Sequence, residues 1–156
     1  MNYEEEIEKE PFTHEMETAM RQVFLDRAPN ELAQLSKANG DAEAFTHLPT
    51  AATAAFHLEK FTEAKQFAER ALELAPAFKD NWNYGNAIHL GHTVLGLIAL
   101  NDQDFVLAIE ELHASGQTLG SPQLNSFGPT MQLAKALLKA GHIEPVVAYL
   151  NQYRQF

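Results

Sequence analysis

A unit of helix, tight polar break and helix recurs along this 156-residue chain, and the recurrence restricts the fold more than any single residue does. The clearest copy is Leu95 to Leu112, LGLIALNDQDFVLAIEEL, in which apolar residues return every three or four positions on both sides of Asn101 to Asp104. That period belongs to amphipathic helices. A lone hairpin of this size cannot bury its apolar stripe, so copies must stack on one another. The expectation is an all-α fold of antiparallel helical hairpins.

Taken in order, the chain opens with an acidic arm over residues 1–12, followed by one helical domain over residues 13–156. Thr13 is placed to cap a helix running to about Arg27, with Met16, Ala19, Met20, Val23 and Phe24 as its core stripe. Pro29 suits the first turn of a second helix ending at Asn39-Gly40, which makes a hairpin in front of the repeats. Pro49 should end or restart any helix near it. Thr62 then caps a helix stopped by Pro76. A long helix is expected over Asp80 to Leu100, although its glycines at 85, 91 and 96 each cost about 1 kcal/mol against alanine, which points to close packing against its backbone. Asp102 and Asp104 favour the start of the next helix, whose buried face is Phe105, Ala108, Ile109 and Leu112. Gly120-Ser121-Pro122 and Gly128-Pro129 break the chain, and two short helices follow, the last with Val146, Val147, Leu150 and Tyr153 inward.

Composition excludes several functions. The formal net charge is −10, and seven glutamates against one lysine put −6 of it in the first seventeen residues. A chain with 11 basic residues and no basic stripe lacks what phosphate binding requires, so nucleic acid and anionic membranes are not expected partners. No segment approaches the ~20 apolar residues of a membrane span, and the acidic start has no secretory character. The absence of cysteine removes thiol catalysis and thiolate metal sites. A cytoplasmic protein with a neutral or basic partner is expected.

Aligning the hairpins sets Leu48, Ala52, Ala55, Phe61, Ala64, Ala68 and Ala71 over His92, Gly96, Ala99, Phe105, Ala108, Leu112 and Ser115. Thr130, Ala134, Leu137, Ile143, Val146, Leu150 and Tyr153 fall beneath these. With Leu95-Gly96, Phe105, Ala108, Ala64, Ala71 and Pro76, the pattern resembles the tetratricopeptide repeat. The resemblance covers about residues 45–156, with best matches at 45–76, 89–120 and 127–156. Copy spacings of 44 and 38 exceed the family's 34, and His92 and Thr130 stand where a large aromatic is usual. The extra residues, at 77–88 and 120–128, should protrude. The resemblance implies a right-handed solenoid of about three repeats, in which first helices line a groove for a peptide or protein segment. Those helices present Ala54, His57, Asn86, His89, Leu90, Thr93 and Leu97, without the lysines and arginines of a carboxylate clamp.

The inserted stretches add Trp82, Tyr84 and Asn86 on one side and Gln123, Asn125, Ser126 and Phe127 on the other. Aromatic and amide groups together suit recognition of a peptide backbone. The expected partner-binding set is therefore His57, Trp82, Asn86, His89, Leu90, Thr93, Leu97, Asn125 and Phe127. A second reading is a regulatory protein binding a metal or small molecule at His89 and His92, three apart on one helix, although no third ligand lies beside them. A third is homodimer formation through Tyr149, Tyr153 and Phe156 of the final helix, since a repeat stack leaves its ends uncovered. No phosphate loop, Gly-x-Ser-x-Gly elbow or paired buried carboxylates is present. The chain is read as non-enzymatic, with no cofactor and no metal.

Overall fold

The computed structural model describes residues 11–118 and 130–153, and every regular element among them is helical. In chain order these are α1 (Pro11–Ser36), α2 (Gly40–His57), α3 (Phe61–Leu74), a 3-10 turn (Ala75–Phe78), α4 (Tyr84–Asn101), α5 (Phe105–Ser115), α6 (Gln132–Lys139) and α7 (Ile143–Tyr153). None is long and apolar enough to cross a membrane. Hairpins form between α2 and α3, α4 and α5, and α6 and α7, each closed by three residues.

The three hairpin turns share one geometry. Glu59 (φ 59°), Gln103 (φ 61°) and Gly141 (φ 93°) all occupy the left-handed region. The next amide donates to the carbonyl five residues earlier: Lys60 to Ala55 at 2.9 Å, Asp104 to Ala99 at 2.8 Å and His142 to Leu137 at 3.0 Å. This is the closing bond of a Schellman cap, which satisfies a carbonyl left open at a helix end. The left-handed residues stand 44 and 38 apart, so the turns repeat in the register of the sequence alignment.

Helix α4 is the centre of the packing and touches α2, α3, α5 and α6. The small residues at the hairpin seams, Ala52, Ala64 and Ala108, are fully buried. On α4, a Cβ at Gly91 would lie 2.9 Å from Leu72 Cγ of α3, and one at Gly96 would overlap Leu133 of α6 and stand 3.1 Å from Glu111 Cβ of α5. Close approach by neighbours is therefore what these two glycines permit. Three clusters pack against α4, the first of them Phe45, Ala75 and Ala87 at its start. Ala52, Ala55, Ala64 and Ala68 gather around Val94, and Leu97, Leu112, Leu133, Leu137 and Tyr149 gather beyond it.

Several expectations are corrected. Residues 13–39 do not form a hairpin: α1 is one helix that includes Pro29. Its second half is held on α2, with Ala28 fully buried and Leu32 packed on the Val94 cluster. Pro49 likewise sits inside α2, where burial of Phe45, Leu48, Ala51, Ala52 and Ala55 outweighs the roughly 3 kcal/mol of a lost helical bond. Thr62 lies within α3, whose N-cap is Lys60, and α4 begins at Tyr84 instead of Asp80. Asp104 does cap α5, accepting from the Leu107 amide at 3.1 Å. The stretch 77–88 does not simply protrude, since Gly85, Asn86 and Ala87 are buried. Pro11 and Phe12 belong to α1, not to the acidic arm, and the rest of that arm lies outside the described residues.

The first-half stripe of α1 is not core: Met16, Met20 and Val23 are 49%, 54% and 46% exposed. Phe105 is partly exposed and packs on His142, with ring centroids 4.8 Å apart. Val147 and Leu150 are also exposed, and Tyr149 turns inward in their place. Their counterparts Ile109 and Leu112 are covered by α6, whereas no described helix follows α7.

A left-handed residue with a Cβ costs about 1 kcal/mol or more relative to glycine. Gln103→Gly should raise the free energy of unfolding by about 1 kcal/mol, and Gly141→Gln should lower it by a similar amount. Chemical denaturation of the two variants checks both signs, and equal or reversed shifts would contradict the shared turn geometry.

Candidate functional site

The structure separates the residues nominated from sequence. Asn86, His89, Thr93 and Leu97 are buried, Leu90 and His57 are half-buried, and Trp82 is 58% exposed. Trp82 lies in the turn before α4 and Asn86 in its first turn, and Leu97 lies eleven residues, or about 16 Å, beyond Asn86 along the helix. Asn86 reaches Asn83 Oδ1 at 3.4 Å, and Asn83 donates to the Thr46 carbonyl of α2 at 2.9 Å. These amides brace the start of α4. Gln123, Asn125, Ser126 and Phe127 lie outside the described residues.

His89 is a buried strut. Its Nδ1 donates to the Ser115 carbonyl at 3.2 Å, and its Nε2 accepts from the Thr130 amide at 2.9 Å, which fixes the tautomer. One side chain thus ties α4 to the end of α5 and to the approach to α6. Thr93 Oγ1 donates to the His89 carbonyl at 2.7 Å. His92 Nδ1 meets Glu111 Oε2 at 2.6 Å and bridges α4 to α5. Both ring nitrogens of His89 are therefore engaged, and no group of three or more side chains suited to a metal occurs among the described residues.

His57 and Leu97 do come together, in a cleft of about 680 Å³ that sequence reasoning did not anticipate. One wall is the stretch of α1 from Glu17 to Phe24, with Met20 and Arg21 between them. The opposite wall is Thr130, Met131 and, on α6, Gln132, Lys135, Ala136 and Lys139. His57 of α2 and Leu97 of α4 complete the lining. The N-terminal half of α1 spans it, and Lys139 Nζ donates to both Glu17 oxygens at 2.8 Å. Of the exposed apolar residues on the first half of α1, Met20 lines the cleft, whereas Met16 and Val23 do not.

The cleft joins apolar surface to cationic charge. Arg21, Lys135 and Lys139 face a single carboxylate, Glu17, whose pKa is held down by its hydrogen bond to Lys139. That pair is largely solvent-exposed and contributes little to stability. His57 stacks on Phe24, with centroids 4.4 Å apart and planes within 10°. Its Nε2 is buried with no partner in full hydrogen-bond geometry, the Gln132 side chain being the neighbour that opposes the lowering of its pKa by burial. Comparison with protein-family models, curated proteins and solved structures gives no match.

The signal that could have exposed the cleft was weak. Residues 17 and 139 meet across 122 positions, and nothing in the repeat pattern places α1 near α6. The nearest clue was an unusual helix carrying Met16, Met20 and Arg21 on adjoining positions.

Burial lowers the pKa of both His57 and His89. The unfolded chain then takes up protons first, so the stability these histidines confer is complete above the unfolded value of about 6.5 and is lost as pH falls through the folded value. Denaturant unfolding between about pH 7.5 and pH 5 should show the parent protein losing stability relative to a His89→Gln variant. A parent protein that gains relative to the variant on acidification would contradict this sign.

Proposed function

We propose that this chain is a non-catalytic peptide- or protein-binding module of tetratricopeptide-like hairpins, with its site in the cleft between α1 and α6. The observation that carries the reading is the cleft itself: an apolar trough flanked by three cations, with an unpaired His57 nitrogen in its wall. Methionine side chains in the wall, Met20 and Met131, adapt to irregular apolar partners at low cost.

The charge of the whole chain pointed to a neutral or basic partner. Local charge decides at a site, because exposed charges beyond about 8–10 Å are screened in physiological salt. Arg21, Lys135 and Lys139 therefore select a segment that pairs an apolar side chain with a carboxylate. Cytoplasmic action is part of the same reading, supported by the cysteine-free composition.

Selection from a displayed peptide library on the intact chain should enrich acidic residues next to leucine or phenylalanine. An Arg21→Glu, Lys135→Glu double variant should bind the enriched peptides at least about tenfold more weakly, the loss expected for a charge-assisted bond worth 1.5–3 kcal/mol. Enrichment of peptides that bind this variant as tightly as the parent would move the site away from the cleft.

A further inference from the structure

We propose that the cleft has an intramolecular occupant, the acidic segment 1–10, which competes with outside ligands; this rests on reading the cleft as the binding site. Segment 1–10, MNYEEEIEKE, carries Glu4, Glu5, Glu6, Glu8 and Glu10 against Lys9, together with Tyr3 and Ile7. It therefore has the chemistry the cleft selects, carboxylates beside apolar side chains. The cleft's Arg21, Lys135 and Lys139 outnumber its one carboxylate, on a chain that is otherwise acidic. A run of glutamates is attracted to this place and repelled by most of the remaining surface.

Attachment makes the contact reachable. The segment joins α1 at Pro11, and Glu17, six residues on, is already held by Lys139. Six helical residues span about 9 Å, whereas ten extended residues reach up to about 33 Å, so the glutamates can turn back onto Lys135 and Lys139. Lys139 retains an exposed side chain after pairing with Glu17, and Lys135 is exposed on the same helix, so both can take further carboxylates. A short tether supplies an effective concentration of order 1 mM. If the free segment binds with a dissociation constant of about 0.1–1 mM, competition weakens an outside ligand about two- to tenfold.

Two measurements on the full-length chain test this. Zero-length carbodiimide coupling at high dilution, followed by peptide mass analysis of the monomer, should join glutamates of segment 1–10 to Lys135 or Lys139. Coupling of those glutamates only to Lys9 or to lysines outside the cleft, with the Glu17 to Lys139 product recovered as the internal standard, would overturn the proposal. The second probe is 8-anilinonaphthalene-1-sulfonate, an apolar ring system with one anionic group. A chain with Glu4, Glu5, Glu6, Glu8 and Glu10 all changed to Gln should bind it about two- to tenfold more tightly at low salt, with the difference closing at about 1 M salt. Equal affinity at low salt would overturn the proposal. Loss of dye binding in Arg21→Glu, Lys135→Glu reports on the cleft alone, so failure of the occupant and failure of the site are distinguishable.

Discussion

The architecture depends on how closely helices can approach α4. Gly91 and Gly96 are five residues apart, so they face directions about 140° apart around the helix. Leu72 of α3 fills the space at one, and Leu133 of α6 fills the space at the other. A methyl group at Gly96 would meet Leu133, which is buried with Leu97, Leu112 and Leu137, so the site cannot relax without disturbing that cluster. Two glycines in a helix interior cost about 2 kcal/mol of propensity, and the interfaces they admit on both sides of α4 offset it.

From that centre the polar side chains acquire their roles. His89 is fixed between Ser115 and Thr130, and Thr130 is part of the cleft wall, so a buried histidine on α4 helps set the edge of the cleft without lining it. His57, by contrast, stacks on Phe24 of α1 and leaves a nitrogen unpaired. Two histidines of similar appearance in sequence thus serve different purposes because only one of them finds partners for both nitrogens. The same logic separates Tyr149, buried in the Leu97 cluster, from Val147 and Leu150, which face outward where the described helices end.

The cleft owes its character to α1. Its second half packs on α2, and the remainder runs out beyond the first hairpin to meet Lys139. Apolar residues on that overhanging half have no layer beneath them, which is why Met16, Met20 and Val23 remain exposed while Ala28 is fully buried. The space between that overhanging helix and the hairpins it spans carries a charge opposite in sign to that of the protein as a whole.

Sequence by itself determined the hairpins and their register. Apolar period, small seam residues and polar breaks are local, and the left-handed turns at Glu59, Gln103 and Gly141 fall at the spacings the alignment required. It misjudged Pro29 and Pro49, because a proline's local cost is fixed while the burial that offsets it belongs to other elements. It placed binding residues on α4 from position alone, yet Asn86, His89 and Thr93 are buried, and His89 is tied to the end of α5 and the approach to α6. Only the tertiary structure decided where a site could form, since the cleft joins Arg21 to Lys135 through a long-range crossing of α1 that no periodicity encodes.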